Sequence, residues 1–495
     1  MRRTFGCSCV LLAAILTASC DGDDDALGPS SVVETVAVIP GVFSMIVGDT
    51  LRLVSIARGD IGNPIAGRPI AWETSSPNVV TVSETGLVKA LGAGAANINA
   101  TIEGVVGTAT VMVSPKFDNA AFASVTAGGA HTCAVTATGT AHCWGRDESG
   151  QLGVPPPLTI CLPDEGGFPC GLVPFPVAGG LSFAQLTAGD AHTCGLTSNG
   201  SAWCWGNNAY GQLGDSSFTS RNAPVAVSTG VKFASIEAGD SHTCGLTSGG
   251  AAWCWGRNNS GQLGDGTTAP SRSRPVAVVM PAGVTFQQIA PGGSDFRSFT
   301  CGVTTSGTTY CWGSNARGQL GQGTRDFTRH PLPAPVSGGV AFTLLATGLG
   351  DHACGLTVAG AAYCWGGNSD GALGDGSTID SFLPLAVSGG LSFQKLATGG
   401  NEELGLTCGL TTTAAAYCWG ENGVGTVGDG STSGRRTPVA VAGGRQFESI
   451  TVGFRHVCAR TTSGTVYCWG SGRVGQLGAN STSSSALPVK VAGQP

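Results

Sequence analysis

The stretch Cys194-Gly-Leu-Thr-Ser-Asn-Gly-Ser-Ala-Trp-Cys204 decides how this chain is read. Ser198-Asn199-Gly200 has the form of a three-residue hairpin loop, with glycine where the backbone must turn left-handed. Counting outward, Thr197 faces Ser201, Leu196 faces Ala202, Gly195 faces Trp203 and Cys194 faces Cys204. Alternating hydrogen-bonded and non-bonded pairs from the turn puts the cysteines on a non-bonded pair, where the strands come close enough to be cross-linked. The stretch is predicted to be a β-hairpin closed by a disulfide.

The same unit occurs seven times. Cys133/Cys143, Cys244/Cys254, Cys301/Cys311, Cys354/Cys364, Cys408/Cys418 and Cys458/Cys468 repeat the ten-residue spacing, and each second cysteine is followed by Trp-Gly. The loop glycine recurs at Gly139, Gly250, Gly307, Gly360 and Gly464, and Ala414 breaks the rule. Structural zinc is the rival reading of paired cysteines. It brings two ligands within two to four residues and needs four convergent groups, so a ten-residue spacing fits it poorly. Each closed loop is worth roughly 3 kcal/mol on the chain-entropy model, less where the hairpin already restrains its ends. Cystine on this scale implies an oxidising compartment. Cys161 and Cys170, in the Pro-rich insertion Val154 to Pro176, are expected to form an eighth link.

Around each hairpin the rest of the repeat is equally regular. Gly-Gln-Leu-Gly stands at Gly150–Gly153, Gly211–Gly214, Gly261–Gly264, Gly318–Gly321 and Gly475–Gly478, with variants at Gly371–Gly374 and Gly425–Gly428. A Pro-Val strand follows, as in Pro224-Val225-Ala226-Val227, and then a strand such as Phe233-Ala234-Ser235-Ile236. Four strands repeated seven times predict a β-propeller, because closure into a ring protects sheet edges. Since the repeats begin at Phe122-Ala-Ser-Val and end at Pro488-Val-Lys-Val, the last strand is expected to complete the first blade. The order His-x-Cys-x-Leu, Cys-Trp-Gly, Gly-Gln-Leu-Gly resembles the regulator of chromosome condensation family over Phe117 to Pro495. The resemblance implies a seven-bladed propeller. The family's namesake activity is guanine-nucleotide exchange on a nuclear GTPase, which an exported chain would not meet. A secreted member of the same fold inhibits β-lactamases by protein contact.

The N-terminus carries a second set of signals. Arg2 and Arg3 precede the apolar run Val10 to Leu16, as in a secretory signal, and the run is too short to span a bilayer as a helix. Leu16-Thr17-Ala18-Ser19-Cys20 resembles a bacterial lipobox, which implies lipidation of Cys20, although Thr17 departs from the aliphatic residue preferred there. Asp21-Gly22-Asp23-Asp24-Asp25 reads as a solvated tether rather than a calcium loop. From Thr35 to Val113, alternating apolar strands suggest a small sandwich. Val47-Gly48-Asp49-Thr50-Leu51, Ile70-Ala71-Trp72-Glu73 and Val82-Ser83-Glu84-Thr85-Gly86-Leu87-Val88 resemble the bacterial immunoglobulin-like domain of group 2, with Trp72 as its core aromatic. The expected fold is all-β: signal peptide 1–19, acidic linker 20–34, immunoglobulin-like sandwich 35–114 and propeller 115–495.

Composition narrows the function. Only 11% of residues are charged, 80 are glycine and the net charge is -6, which gives no electrostatic footprint for nucleic acid. His131, His192, His242, His352 and His456 share one repeat position. A metal ring is conceivable there, but Phe299 and Leu406 fill the same position, which favours a structural role. Gly367-Asn-Ser369-Asp-Gly371 matches the nucleophile-elbow pattern yet lies in a turn without a following helix. Asp215, Asp265, Asp375 and Asp429 read as solvated turn residues. The tryptophans from Trp144 to Trp469 read as packing between blades. The aromatics before the second cysteine, Trp203, Trp253, Tyr310, Tyr363, Tyr417 and Tyr467, with His142 in the first repeat, read as sheet packing or part of a binding face. No catalytic set, metal site or cofactor is expected. The reading is a monomeric, secreted or envelope-anchored scaffold that binds a protein or an envelope glycan, tied to the membrane where Cys20 is lipidated. The alternative is an extracytoplasmic hydrolase or lyase at the propeller mouth. Convergent acids and histidine on one propeller face would favour the enzyme, and an exposed aromatic patch would favour binding.

Overall fold

The structure is a computed structural model that describes residues 32–114, 121–154, 158–162, 166–401 and 404–494. Cys20 and the signal segment lie outside the described residues. No helix among the described residues is long and apolar enough to cross a membrane.

The N-terminal unit is a sandwich whose largest sheet pairs Val42–Ile46, Val105–Ser114, Gly94–Ile102 and Ala71–Thr74. Alternation along these strands points Ala96, Ile98, Ala100, Ala109, Val111 and Val113 into the core, where Trp72 packs half-buried. Val33 is buried against Ala57 and Ile102, so packing starts within the segment read as linker.

Seven sheets follow in chain order. The second is typical: Gln185–Ala188, His192–Leu196, Ala202–Gly206 and Arg221–Ala226 run antiparallel from inner to outer edge. Its hairpin pairs Leu196 with Ala202, Gly195 with Trp203 and Cys194 with Cys204, with Cα atoms 4.0 Å apart at the cysteines. The structure also joins Cys133–Cys143, Cys244–Cys254, Cys301–Cys311, Cys354–Cys364, Cys408–Cys418, Cys458–Cys468 and, in the insertion, Cys161–Cys170. The fourth strand of each blade carries proline, at Pro174, Pro224, Pro275, Pro333, Pro384, Pro438 and Pro488, and in the second to seventh blades that strand is the outer edge. A residue without an N–H blocks pairing at this exposed edge, which protects the molecule from edge-to-edge association.

The expected completion of the first blade by the last strand does not occur. Ser485–Lys490 pairs with Val466–Gly470 of its own blade, and the first blade starts with its own inner strand, Phe122–Ala127. The repeat frame therefore opens on the inner Phe-containing strand, and each blade is made from contiguous chain. The ring closes through side chains instead.

The first blade is the exception in size. Its insertion adds Thr159–Cys161 as a fifth strand against Phe168–Pro176. Leu158 and Val173 of this enlarged blade form one apolar cluster with Ile46, with Met112 packed against it, which seats the sandwich on the propeller.

The hairpin turn shows what the repeated glycine is for. Gly200 has φ +78°, and Ala414, in the same place in the sixth blade, is held at φ +64°. That conformation costs an L-residue about 1–2 kcal/mol. Ala414→Gly is expected to stabilise the protein by about 1 kcal/mol, read as a higher guanidinium midpoint with an unchanged m-value.

Candidate functional site

The seven blades meet through one recurrent joint. Between the second and third blades, Trp255 Nε1 donates to the Gln212 carbonyl at 2.9 Å, and Thr243 Oγ1 donates to the same oxygen at 3.0 Å. His192 Nε2 lies 2.9 Å from Thr243 Oγ1. The threonine's one proton goes to the carbonyl, so His192 must be the donor and carries its proton on Nε2. The last glycine of Gly-Gln-Leu-Gly completes the fit: a Cβ on Gly214 would stand 2.8 Å from Trp255 Nε1.

The joint recurs as His131–Thr193–Gln151, His242–Thr300–Gln262 and His352–Thr407–Ala372. His456–Thr132–Gln476 repeats it between the last blade and the first, with Trp144 Nε1 on the Gln476 carbonyl at 3.0 Å. This contact closes the ring. At the two remaining joints the polar pair is replaced on both sides. Phe299 stands against Ala353, and Leu406 against Val457, in apolar clusters, while Trp365 and Trp469 keep their carbonyl bonds. Histidine and threonine are therefore exchanged together for an apolar pair. Burial drives the pKa of His192, His352 and His456 down to about 4 and that of His131 and His242 to about 3, so all five are neutral joint members. They do not converge on a ligand.

The other candidates are likewise tied into the frame. Arg221, Arg272 and Arg435 pair with Asp215, Asp265 and Asp429, and Asp375 accepts from Ser377 and Asn368. Ser369 lies in the turn between Ala362–Gly366 and Ser381–Ala386. Trp203, Trp253, Tyr310, Tyr363, Tyr417 and Tyr467 are half-buried and pack against the blade clusters. His142 is buried, packing edge-on against Phe122. Among the described residues, no group of three His, Cys, Asp or Glu could hold a metal ion.

The fourth blade lengthens two loops of the repeat, the first of which is equally long in the sixth blade between Thr398 and Leu406. Three residues separate Ala188 from His192, but seven separate the equivalent Pro291 from Phe299. Fourteen residues lie between the paired Gly206 and Arg221, and sixteen between Gly313 and His330. Both lengthened loops lie on the same face, and each presents a phenylalanine: Phe296 is 70% exposed and Phe327 88%. Together they wall a cavity of about 200 Å³ with Asn259, Ser260, Ser314 and Arg329. The Phe296 loop is held firmly. Ser260 Oγ donates to the Phe296 carbonyl at 2.8 Å, and Arg297 pairs with Asp351 at 2.8 Å. The buried Arg257 guanidinium lies between the Phe296 and Tyr210 rings, 4.5 and 4.8 Å from their centroids. A rigid surface with exposed aromatics suits recognition of another molecule.

Sequence reading passed over Phe296, Phe327 and the threonines of the joint. The threonines had a signal, since each follows a histidine position and switches with the histidine of the preceding repeat. It also passed over Asp147, which takes the place of Asn208, Asn258, Asn315, Asn368 and Asn422. Those asparagines accept from a backbone N–H and donate through Nδ2, whereas Asp147 accepts from the Leu152 N–H at 2.8 Å. Burial pushes its carboxyl up to about 7.

Three outcomes follow from this geometry. His192→Phe and Thr243→Ala should each cost about 2 kcal/mol, and the double variant, which copies Phe299/Ala353, should cost less than their sum in a double-mutant cycle. Histidines held neutral below their unfolded value make stability fall as pH drops from about 6.5 towards 4, a slope that each histidine replacement should reduce in calorimetric titration. Asp147 acts oppositely: its raised value removes stability as pH rises from about 4 through 7. Asp147→Asn should raise the melting temperature at pH 8 by ~2–4 °C and leave it nearly unchanged at pH 4.

Two sequence profiles, both described as regulator of chromosome condensation (RCC1) repeat, match the propeller, one at residues 122–151, 183–212, 233–262 and 447–476. The other matches 199–246, 249–295, 306–354, 359–401 and 463–495. A profile for the bacterial Ig-like domain (group 2) matches 32–113. The chain is 27% identical over 355 residues to the human E3 ubiquitin-protein ligase HERC2, covering 71% of this chain and 6% of that protein. It is 29% identical over 337 residues to the ultraviolet-B receptor UVR8 of Arabidopsis thaliana, covering 67% and 61%. It thus spans less than two thirds of either relative. Among solved structures it resembles human WBSCR16, with TM-score 0.60 and 22% identity over 69% of this chain and 87% of that one. It also resembles Prp20p of Saccharomyces cerevisiae, with TM-score 0.59 and 21% identity over 75% and 87%. These likenesses concern the fold. The chain belongs to the regulator of chromosome condensation (RCC1) repeat family and carries a bacterial Ig-like domain of group 2 on the N-terminal side of its propeller.

Proposed function

We propose that this protein is a non-catalytic scaffold, exported and held at the cell envelope, that binds a protein partner through the fourth-blade face. The observation that carries the reading is the pair of lengthened loops that expose Phe296 and Phe327 around one cavity. Aromatic anchors on a pre-ordered surface bind at low entropic cost, because little has to be immobilised on contact. Protein partners are named for members of the fold: Kap60 is bound to yeast RCC1 (Prp20) in one structure, and Prp20p is described by its binding to Gsp1p and histones in another. Eight disulfides support an oxidising location, consistent with the Arg2–Leu16 signal and a lipid anchor on Cys20. The five joint histidines are unsuited to acid–base work, since each is neutral and its Nε2 is committed to a threonine.

The test is crosslinking and pull-down of the exported protein from its native envelope, with wild type beside the Phe296→Ser/Phe327→Ser double variant. Wild type should retain a protein partner that the variant binds at least about tenfold more weakly, with both melting alike. Equal capture by the two, or turnover of an envelope glycan without any partner, would overturn the proposal.

A further inference from the structure

The seven inner strands enclose a central lumen of about 190 Å³. Its wall is uneven. At the level paired with the first cysteine of each hairpin, the fourth, fifth and sixth blades present Ala290, Ala346 and Ala397. The seventh, first, second and third present Thr451, Thr126, Thr187 and Glu237. At this level one continuous arc is thus polar and ends in a carboxylate, and the facing arc presents methyl groups, with Thr347 and Thr398 one residue further along the fifth and sixth blades.

Glu237 is the single ionisable side chain on the lumen wall among the described residues. Gln185 Nε2 and Thr187 Oγ1 donate to its two oxygens at 3.1 and 3.2 Å. These bonds from neutral groups orient the carboxylate and leave its charge uncompensated, and desolvation pushes its pKa up to about 7. Five other blades fill the position with threonine or alanine without that cost, as does the first with Thr126. Across the ring Thr398, only 5% exposed, also lines the lumen, and its hydroxyl has no hydrogen-bond partner.

We infer that the lumen is a binding site for a primary alkylammonium group, with the cation on Glu237 and the threonine hydroxyls and the alkyl chain against the alanine arc. A divalent metal would need further anionic ligands, which the wall does not supply. A quaternary ammonium would call for an aromatic cage, and among the described residues no aromatic side chain lines the lumen. An ammonium with three N–H donors matches a carboxylate beside hydroxyl acceptors, and the volume suits a chain of about four carbons. This site is separate from the fourth-blade cavity and does not depend on it.

Isothermal titration of the full chain with butylammonium chloride tests the inference, with sodium chloride and butanol as controls. At pH 8, saturable one-to-one binding at millimolar concentration is expected, weakening about tenfold per pH unit below about pH 7 as Glu237 takes up its proton. Glu237→Gln should abolish it. The wild-type pH profile keeps the test decisive if that variant fails to fold. Absence of saturable heat at pH 8, a flat pH profile, or unchanged binding by Glu237→Gln would overturn the site. Two arms separate the sources of the ammonium. Displacement by butylammonium of a partner captured from the envelope assigns the group to a lysine of that partner, and binding without displacement assigns it to a free amine.

Discussion

The propeller depends on one main-chain oxygen per joint. The carbonyl of residue 212, and its equivalents, accepts from the indole of the next blade at all seven joints and also from a threonine hydroxyl at five, so backbone and side chains of neighbouring sheets are locked at a buried point. Leaving either donor unsatisfied there would cost on the order of 1–3 kcal/mol, which makes the joint intolerant of partial change. Gly-Gln-Leu-Gly supplies the carbonyl and the bare Cα beside the indole, and Cys-Trp-Gly supplies the indole. The two most regular motifs of the sequence are the halves of one contact made between successive repeats.

That contact explains why, among the described residues, no strand of the last blade pairs into the first. His456, Thr132, Gln476 and Trp144 make the same joint between the last blade and the first as any adjacent pair makes, so closure needs no exchanged strand. The disulfides act within blades and the joints between them, and together they leave the loops of one face free to vary. Variation is concentrated in that face: the fourth blade lengthens two loops around Phe296 and Phe327, and the first enlarges its outer region to carry the sandwich through Val173, Ile46 and their neighbours.

Much of the architecture is legible in the chain because it is local. A hairpin's register follows from its turn, so Cys194 opposite Cys204 can be counted from Asn199-Gly200, and repetition multiplies that certainty sevenfold. The histidine column was legible as structural from Phe299 and Leu406 alone. Its partners were harder, since each histidine meets a threonine of the following repeat, 51 to 62 positions away where the histidines precede in sequence. Phe296 and Phe327 look like ordinary loop residues until two loops of different length are seen on one face.

The sequence by itself determined the elements: all-β, seven hairpins with facing cysteines, prolines along one strand and a preceding sandwich. These follow from turn chemistry and alternation, which act over a few residues. The tertiary structure alone decided how the ring closes, which face bears the aromatic cavity and that Glu237 ends a polar arc opposite three alanines. Those properties arise when side chains from different blades meet at a common point, and distance along the chain carries no record of such a meeting.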